Sequence, residues 1–339
     1  MFKANSHILL AIWLLGLALT IEAKEYHVSK AGKDSNPGTA SAPFLSISKA
    51  AKIAASGDSI TVHEGIYREC IVPVNGGKNE IDQILYRAAR NEKVVVKGSE
   101  LVNNWTRVEG SVYKVVLPNS FFGYYNPYAE LIVGDWFISK GIKHHTGEVF
   151  LNGKSLFEKN SLDEVKASKP YAEALDQKAS TTTWYSEVDS DNTTIWANFQ
   201  TADPNKELVE INVRPSCFYP EKPGVNYITI QGFIMDQAAT QWAAPTAEQI
   251  GLIGTHWSKG WIIENNTISN SKCVGISLGK DRATGHNVAN DNQKKMAQHT
   301  TTRLFFGPSK LAGLRTLLDH IWCETMSFAI AAKPVLWEV

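Results

Sequence analysis

Two stretches of similar pattern decide the fold: residues 227–236 read YITIQGFIMD, and residues 261–270 read WIIENNTISN. In each stretch an alternating apolar segment is followed by a polar corner and a second short apolar segment. Residues 275–279, GISLG, repeat the first half of the pattern. Short strands separated by corners are typical of solenoids, in which each turn of the chain buries its apolar row on the next. Asn265 and Asn266 fall at a corner, where stacked amides can form a ladder. We therefore predict consecutive coils of a parallel β-helix in this region.

The N-terminal part of the chain predicts the beginning of the same structure. One apolar face is predicted from helical spacing, formed by Ile47, Ala50, Ala51, Ile53 and Ala54. Short strand candidates surround this helix, at residues 26–28, 59–62, 83–86 and 94–98. A helix followed by short strands is typical of the first coils of a right-handed parallel β-helix, because the helix covers the open edge of the first coil.

Residues 105–225 have a different sequence pattern. Their strand candidates are longer, at residues 112–117, 183–188, 194–199 and 209–213. Asn152-Gly153 and the segment 188–192 have the composition of hairpin turns, which indicates antiparallel pairing. The predicted fold class is therefore all-β: a right-handed parallel β-helix with an N-terminal capping helix and an inserted antiparallel β-sandwich flanking region.

The composition is that of a folded protein rich in aromatic rings. Of 339 residues, 43% are apolar and 20% are charged, which excludes a disordered chain. The 34 basic residues balance the 34 acidic ones, so nucleic acid is excluded as a partner, because no net field would hold a polyanion. The chain has 10 Trp, 11 Tyr and 13 Phe. Sugar clefts use such rings because the C–H face of a pyranose packs on an apolar plane, although packing in a core is the alternative role of any single ring.

The first 23 residues have the pattern of a secretory signal. Lys3 precedes an apolar run at residues 8–19, and Ala23 ends a small-residue segment at which we predict cleavage. The run is shorter than the roughly 20 residues that a membrane span needs, so we predict export to the periplasm or the medium without a stable membrane span. Export permits disulfides, but Cys70, Cys217, Cys273 and Cys323 are far apart and their pairing is left open. Buried thiols are the favoured interpretation.

Six segments of the sequence resemble glycoside hydrolase family 120, the β-xylosidases. They are residues 26–28, 62–69, 117–123, 134–136, 197–205 and 254–264. The resemblance extends over about residues 26–285 and implies a β-helix core with a β-sandwich flanking region. It also implies retaining hydrolysis of β-xylosides at the non-reducing end, by a carboxylate nucleophile and a carboxylic acid/base about 5 to 5.5 Å apart. The implied substrate is a xylo-oligosaccharide or a related plant cell-wall glycan.

The resemblance also implies which residues contact the sugar. Trp136 matches a family position that projects from the flanking region toward the sugar, and Asp135 adjoins it. Trp242 lies on a loop that leaves a coil and is a second, weaker candidate for binding. No residue of this chain matches either catalytic carboxylate, so we predict no catalytic residue here. Asp236 and Glu264 are interpreted as hydrogen-bonded corner acids.

No cofactor and no metal are expected from the sequence. No glycine-rich loop has the lysine of a phosphate-binding loop, and no repeated aspartate ladder offers a calcium site. His144-His145 is a pair without an acidic partner at ligand spacing, so we do not predict a metal there.

The resemblance stops at about residue 287. Permitted codons for residues 319–328, shifted by two nucleotides, can spell SHMVRNNVI, which restores the Asn-Asn-x-Ile pattern of residues 265–268. Lys294-Lys295 can be encoded by an adenine run, where one lost base would start the shift. We predict a frameshifted, non-native tail and a chain truncated before the catalytic pair, inactive as written. The predicted divisions are a signal peptide (1–23), a cap with the first coils (24–104), the insertion (105–225), further coils (226–285) and the tail (286–339).

Two other functions stay open at this point. A non-catalytic carbohydrate-binding β-helix protein would bind xylan without turnover. A polysaccharide lyase acting on uronates would favour a basic groove and an acidic calcium cluster, and the balanced charge argues against it.

Overall fold

The structure, a computed structural model, describes residues 23–134, 137–242 and 250–278, together with the backbone of residues 303–305. The helices are α1 (Ile47–Ile53) and α2 (Leu162–Ala167), with 3-10 helices at Asn119–Phe122 and Ala179–Thr181. The strands are β1 (Glu25–Val28), β2 (Ser59–Val62), β3 (Gly65–Tyr67), β4 (Ile84–Ala88), β5 (Val94–Lys97), β6 (Ser99–Leu101), β7 (Thr106–Glu109), β8 (Val112–Pro118), β9 (Val149–Leu151), β10 (Lys154–Ser155), β11 (Phe157–Glu158), β12 (Thr183–Val188), β13 (Asn192–Asn198), β14 (Val209–Asn212), β15 (Ile228–Gln231), β16 (Ile234–Asp236), β17 (Ile253–Gly254), β18 (Ile262–Glu264), β19 (Thr267–Ser269), β20 (Ile276–Ser277) and β21 (Arg303–Phe305).

Parallel strands from both ends of the chain share sheets, and we call them together the stack. One sheet has the order β1-β2-β4-β15-β18-β21, a second β3-β5-β16-β19, and a third consists of β17 and β20. Parallel bridges from Ile71 to Phe218 and from Phe218 to Ile253 extend the third sheet. The chain visits the three faces in the same order each time, as in β15, β16, β17 and then β18, β19, β20. The fold is mostly β with few helices, as the sequence predicts.

In-register apolar columns form the core of the stack. Ile60, Tyr86, Ile230 and Ile263 occupy one register position on consecutive strands, and all four are buried. The Tyr86 ring packs edge-on against Phe218, with ring centroids 5.0 Å apart, so the column reaches the third face. Burying each such side chain contributes about 1.5–3 kcal/mol. The alternation of apolar and polar residues along each strand is thus enough to determine which side chains point into the core.

Corners in the stack are tight and use left-handed backbone. Gly232 and Asn265 occupy matching positions in neighbouring coils and have φ of +82° and +55°. The Asn266 amide accepts from the Phe233 N–H at 2.9 Å and donates to the Ile230 carbonyl at 2.9 Å. Because the described neighbouring coil carries Gly232 and Phe233 at this corner, Asn266 meets no second amide in that coil and binds its backbone instead.

Helix α1 forms where its apolar spacing predicts and packs against β1 and β2. The Ser46 hydroxyl caps it by accepting from the Lys49 N–H at 3.2 Å, and Glu69 accepts from the Ile47 N–H at 3.0 Å. The helix buries Ile47, Ala50 and Ala51. Its predicted position is confirmed, but the predicted inward face is wrong at Ile53, which is 40% exposed because it lies at the end of the helix and on its outer side.

Residues 99–212, which we call the insertion, leave the stack after β5 and form two further sheets. Their orders are β10-β9-β14-β6 and β11-β12-β13-β8-β7, and the pairs are antiparallel apart from β11 with β12. Both predicted hairpins form, since β9 pairs with β10 and β12 with β13. Asn152 and Gly153 have φ of +52° and +77°, which only residues tolerant of left-handed backbone adopt readily. Antiparallel pairing begins at β6, before the boundary predicted at residue 105.

Two further observations concern the described residues. No helix among them is long and apolar enough to cross a bilayer. Burial raises the pKa of the Cys70 thiol to about 12 and raises that of Cys217 as well, so both thiols are protonated at neutral pH.

The predicted signal peptide lies outside the described residues, apart from Ala23, and so does Cys323. Within the predicted tail, the described backbone is that of β21, which pairs in parallel with β18.

Candidate functional site

The insertion lies against the corners that lead from the second face of the stack to the third. These corners are residues 237–242 and 270–274, which follow β16 and β19. The Thr240 hydroxyl accepts from the N–H groups of Cys273 and Val274, at 2.8 and 3.0 Å, and so joins one corner to the next. Tyr125 of the insertion donates to the Ala239 carbonyl at 3.1 Å. The corners and the insertion therefore form the two walls of one seam.

Trp242 lies in this seam and contacts the insertion. Its ring centroid is 6.4 Å from that of Phe137, with the planes at 45°. Gly134 has φ of +139°, and a Cβ added there would lie 3.2 Å from Trp242 Cδ1. A side chain at this position would therefore crowd the indole ring, which explains the glycine. Asp135 and Trp136, the other predicted binding residues, lie outside the described residues, but both of their described neighbours contact Trp242.

Two histidines lie behind this aromatic contact. His144 packs edge-on against Phe137, with ring centroids 5.7 Å apart. The sequence shows no acidic partner for His144-His145, yet the structure supplies Glu158: its carboxylate lies 2.5 Å from His145 Nδ1 and 4.0 Å from His144 Nδ1. Among the described residues no group of three His, Cys, Asp or Glu side chains is arranged to hold a metal ion. His144 and His145 therefore both lie next to one carboxylate, that of Glu158, beside the seam.

Lys272 reaches from the stack into the same cluster. Its ammonium is 3.0 Å from Glu148 and 3.9 Å from Glu158, and its side chain is 10% exposed. The two carboxylates are on the insertion, at the start of β9 and on β11. Burial alone would lower the pKa of Lys272, but Glu148 and Glu158 outweigh it and raise that pKa above its ordinary value. We call Lys272, Glu148 and Glu158 the Lys272 cluster.

His144 is affected in the opposite direction. Burial is the larger cause and the positive charge of Lys272 the next, and together they lower the pKa of His144 below its ordinary value, against the pull of Glu158 and Glu148. The imidazole is therefore neutral at neutral pH, and the ring beneath Phe137 adds no charge to the seam.

A second cluster crosses the seam at the first coils, and we call Glu210, Arg68, Lys97 and Gln237 the Glu210 cluster. Glu210, on β14 of the insertion, is 0% exposed. It accepts from Arg68 Nη2 at 2.6 Å, from Lys97 Nζ at 2.7 Å and from Gln237 Nε2 at 2.9 Å. Burial alone would raise the pKa of Glu210, but the bonds from Lys97, Arg68 and Gln237 outweigh it and lower that pKa. The carboxylate is therefore held ionised inside the protein.

The carboxylates singled out in the sequence are engaged in the stack. Asp236 accepts from Ser269 at 2.9 Å and from Asn270 at 2.8 Å, at the corner between coils. Glu264 accepts from Gln231 of the neighbouring strand at 2.9 Å. These are the contacts expected of corner acids. A glycosidase needs instead two carboxyl groups facing one sugar.

Sequence reasoning did not find either ion cluster. The partners are far apart along the chain: Lys97 and Glu210 by 113 residues, Lys272 and Glu148 by 124. No sequence motif contains both partners of either ion pair. The available signal is a charged residue within a strand of otherwise buried pattern, as at Lys97 after Val94, Val95 and Val96, and Glu210 between Val209 and Ile211.

Comparisons with known proteins agree with the two-part architecture. Residues 102–211 match the family described as glycoside hydrolase 120, insertion domain, and residues 30–72 match a family described as a protein of unknown function, DUF1565. A solved structure titled as the complex of XylC with xylose is 49% identical, with a TM-score of 0.74, over 81% of this chain and 45% of that one.

Two more distant matches are partial. A structure titled glycoside hydrolase is 11% identical over 75% of this chain and 63% of that one, with a TM-score of 0.42. The uncharacterized protein YwoF of Bacillus subtilis (strain 168) is 34% identical over 77 residues, which are 23% of this chain and 16% of that protein. The chain thus spans less than half the length of XylC. The insertion-domain match and the similarity to XylC support the identification of this chain with glycoside hydrolase family 120.

Proposed function

We propose that this chain forms one part of the sugar-binding cleft of an exported β-xylosidase that acts on xylo-oligosaccharides. The observation that carries the proposal is the 49% identity to XylC, a protein whose structure was solved with xylose. The position of Trp242 against Gly134 and Phe137 supports it, because this aromatic contact flanks Trp136 and Asp135 and lies where two walls of the protein meet. In this proposal Trp242, Trp136 and Asp135 contact the sugar.

The stack, in the same proposal, is a right-handed parallel β-helix. Three parallel faces are visited in a fixed order, and in-register columns run through all the coils. Parallel strands joined by crossovers are overwhelmingly right-handed, which supports the hand. The insertion is then the flanking region, and it closes one side of the cleft.

The catalytic pair is proposed to lie outside the residues of this chain. Asp236 and Glu264 are occupied by neighbouring coils, and Glu148, Glu158 and Glu210 are buried on lysine or arginine. A general acid needs access to the glycosidic oxygen, which a carboxylate surrounded by cations does not have. The chain as written would then bind xylose without cleaving xylosides.

Two measurements test this proposal. Calorimetric titration of the chain with D-xylose should show saturable binding that Trp242→Ala weakens, while Trp242→Phe, which keeps a ring, retains most of it. Incubation with 4-nitrophenyl β-D-xyloside should release no nitrophenol. Absence of xylose binding would overturn the assigned cleft. Turnover that Asp236→Asn abolishes would overturn the assignment of the carboxylates.

A non-catalytic sugar-binding protein is the second candidate. It is favoured because the five carboxylates discussed above are all bound by neighbouring coils or by lysine and arginine side chains. Resequencing the gene through the codons for Lys294-Lys295 and beyond separates the two. One missing base, followed by further coils in the restored frame, would favour the hydrolase and the proposed frameshift. An intact frame without such coils would favour binding alone. Export is part of both candidates and is tested by N-terminal sequencing of secreted protein, with a start at Lys24 expected.

A further inference from the structure

A cleft of about 450 Å³ opens on the insertion, at one edge of the sheet that contains β12. The strand lines it with Tyr185, Ser186 and Glu187, and two loops line it with Lys143 and Asn160. Its volume lies in the range of about 300–1,000 Å³ that small-molecule sites occupy. The lining also includes His145, which pairs with Glu158 in the candidate site; the other lining residues have no role there.

The pairing of β12 explains why the cleft is open. β11 pairs with Thr183 and Trp184 at the start of β12, and its pairing ends there. The edge of β12 from Tyr185 to Val188 therefore faces the cleft rather than another strand. An edge of this kind offers backbone hydrogen-bonding groups as well as side chains.

Tyr185, which lines the cleft, belongs to a stacked aromatic pair. Tyr185 and Trp196 are cross-strand partners on β12 and β13, with ring centroids 5.8 Å apart and planes at 25°. Ile195 and Ala197 point into the core, so Trp196 and the partner ring lie on the outer face of the sheet. Both rings are half-buried. Side chains of this kind present the apolar plane on which the C–H face of a sugar packs.

The remaining lining is polar and mixed in sign. Lys143 and Lys159 carry positive charge, and Glu187 and Asp189 carry negative charge. Balanced charge disfavours a polyanion, and hydroxyl-rich neutral molecules match donors and acceptors that are interspersed.

We propose that this cleft is a second glycan-binding site, which holds an internal stretch of a neutral polysaccharide chain. Tyr185 and Trp196 would pack on sugar rings, and Glu187 and Lys159 would bind hydroxyl groups. The choice of xylan as the polymer rests on the function proposed above. The site retains the chain on the polymer, whereas the Trp242 seam holds a terminal xylose.

Affinity electrophoresis through a gel that contains soluble xylan tests the site. Xylan should retard the wild-type chain, and the double variant Tyr185→Ala/Trp196→Ala should bind about tenfold more weakly. Thr194→Arg fills the cleft without removing a ring and should abolish retardation as well, so a folding defect in the double variant does not decide the result. Tyr124→Ala, at a ring that is 93% exposed elsewhere on the insertion, is the matched control and should be retarded like wild type.

The outcomes separate the two sites. Trp242→Ala should lose xylose binding in calorimetry and keep retardation by xylan. Retardation by a neutral glucan in place of xylan supports the second site and contradicts the choice of polymer, and with it the proposed function. Retardation that persists in both Thr194→Arg and the double variant, or its absence with every neutral polysaccharide, would overturn the second site.

Discussion

The Glu210 cluster and the Lys272 cluster join the same two parts of the protein, and in both the stack supplies the cations and the insertion the carboxylates. They differ in the charge of the group at the centre of the cluster. In the first, one carboxylate accepts from two cations and an amide, whereas in the second, one lysine lies between two carboxylates. The comparison indicates that ion pairs of one polarity, with the cations on the stack and the carboxylates on the insertion, hold the insertion against the stack at both places.

The clusters also differ in their neighbours. The Glu210 cluster contacts the uncharged Ser99 and, through Lys97, the Asp236 carboxylate of the stack at 3.8 Å. The Lys272 cluster adjoins His144 and His145 and, through His144, the ring of Phe137 beside Trp242. We therefore expect the first cluster to affect stability and the second to affect stability, sugar binding and the response to pH.

The largest effect is expected from Glu210→Ala. The change leaves Arg68 and Lys97 partly buried without their carboxylate, and breaking a buried ion pair in this way costs about 3–5 kcal/mol. Urea denaturation should show the corresponding loss in the free energy of unfolding. Glu80→Ala, at an exposed carboxylate, is the control and should change it by less than about 0.5 kcal/mol. Equal stability of the two variants would show that the Glu210 cluster does not hold the insertion.

A somewhat smaller effect is expected from Lys272→Met. The methionine fills much of the same volume, but Glu148 and Glu158 are left buried with no cation between them, which should cost about 3 kcal/mol. Lys272→Arg should recover part of the loss. Xylose binding should weaken in Lys272→Met as the contact between Phe137 and Trp242 loosens. Lys206→Met, at a lysine that is 82% exposed, serves as the control for loss of a surface charge.

Trp242→Ala is expected to change binding more than stability. Loss of a ring that packs on a sugar should reduce the affinity for xylose about tenfold in calorimetry. The ring is only partly buried, so the thermal midpoint should fall by a few degrees at most, about 2–4 °C. An unchanged affinity would show that Trp242 does not contact the sugar. The two clusters would then be expected to differ in their effect on stability and not in their effect on sugar binding.

The smallest effect concerns pH and distinguishes the clusters. The pKa of His144 is lower in the folded protein than in the unfolded chain, so the unfolded chain binds more protons in this range. Stability contributed by neutral His144 is therefore present above about pH 6.5 and is lost as the pH falls from there toward the folded pKa. Urea denaturation at several pH values should show this slope, and His144→Gln should flatten it.

Glu210 provides the contrast in the same titration. Its folded pKa is lowered, so its contribution is present above the ordinary pKa of a glutamate, about 4.3, and is lost only at more acidic pH. A slope between about pH 7 and pH 5 that persists in His144→Gln would contradict the assignment of this range to His144.

Much of the fold could be predicted because the signals are local. The alternation in residues 227–236 and 261–270 selects strands with one buried row, and the hairpin residues Asn152-Gly153 select a turn with positive φ. The Asn265-Asn266 corner shows the limit of this reasoning. A ladder of amides needs an amide in the neighbouring coil at the same register position, and register is a property of the sheet.

The amino-acid order alone was sufficient for the all-β class, the helix at the start of the stack, the hairpins of the insertion and the family, since each rests on patterns within a few tens of residues. The tertiary structure decided which charges meet: Lys97 with Glu210, Lys272 with Glu148, and His145 with Glu158. The physical reason is that an ion pair acts over a few ångströms in space, while its partners can lie more than a hundred residues apart along the chain.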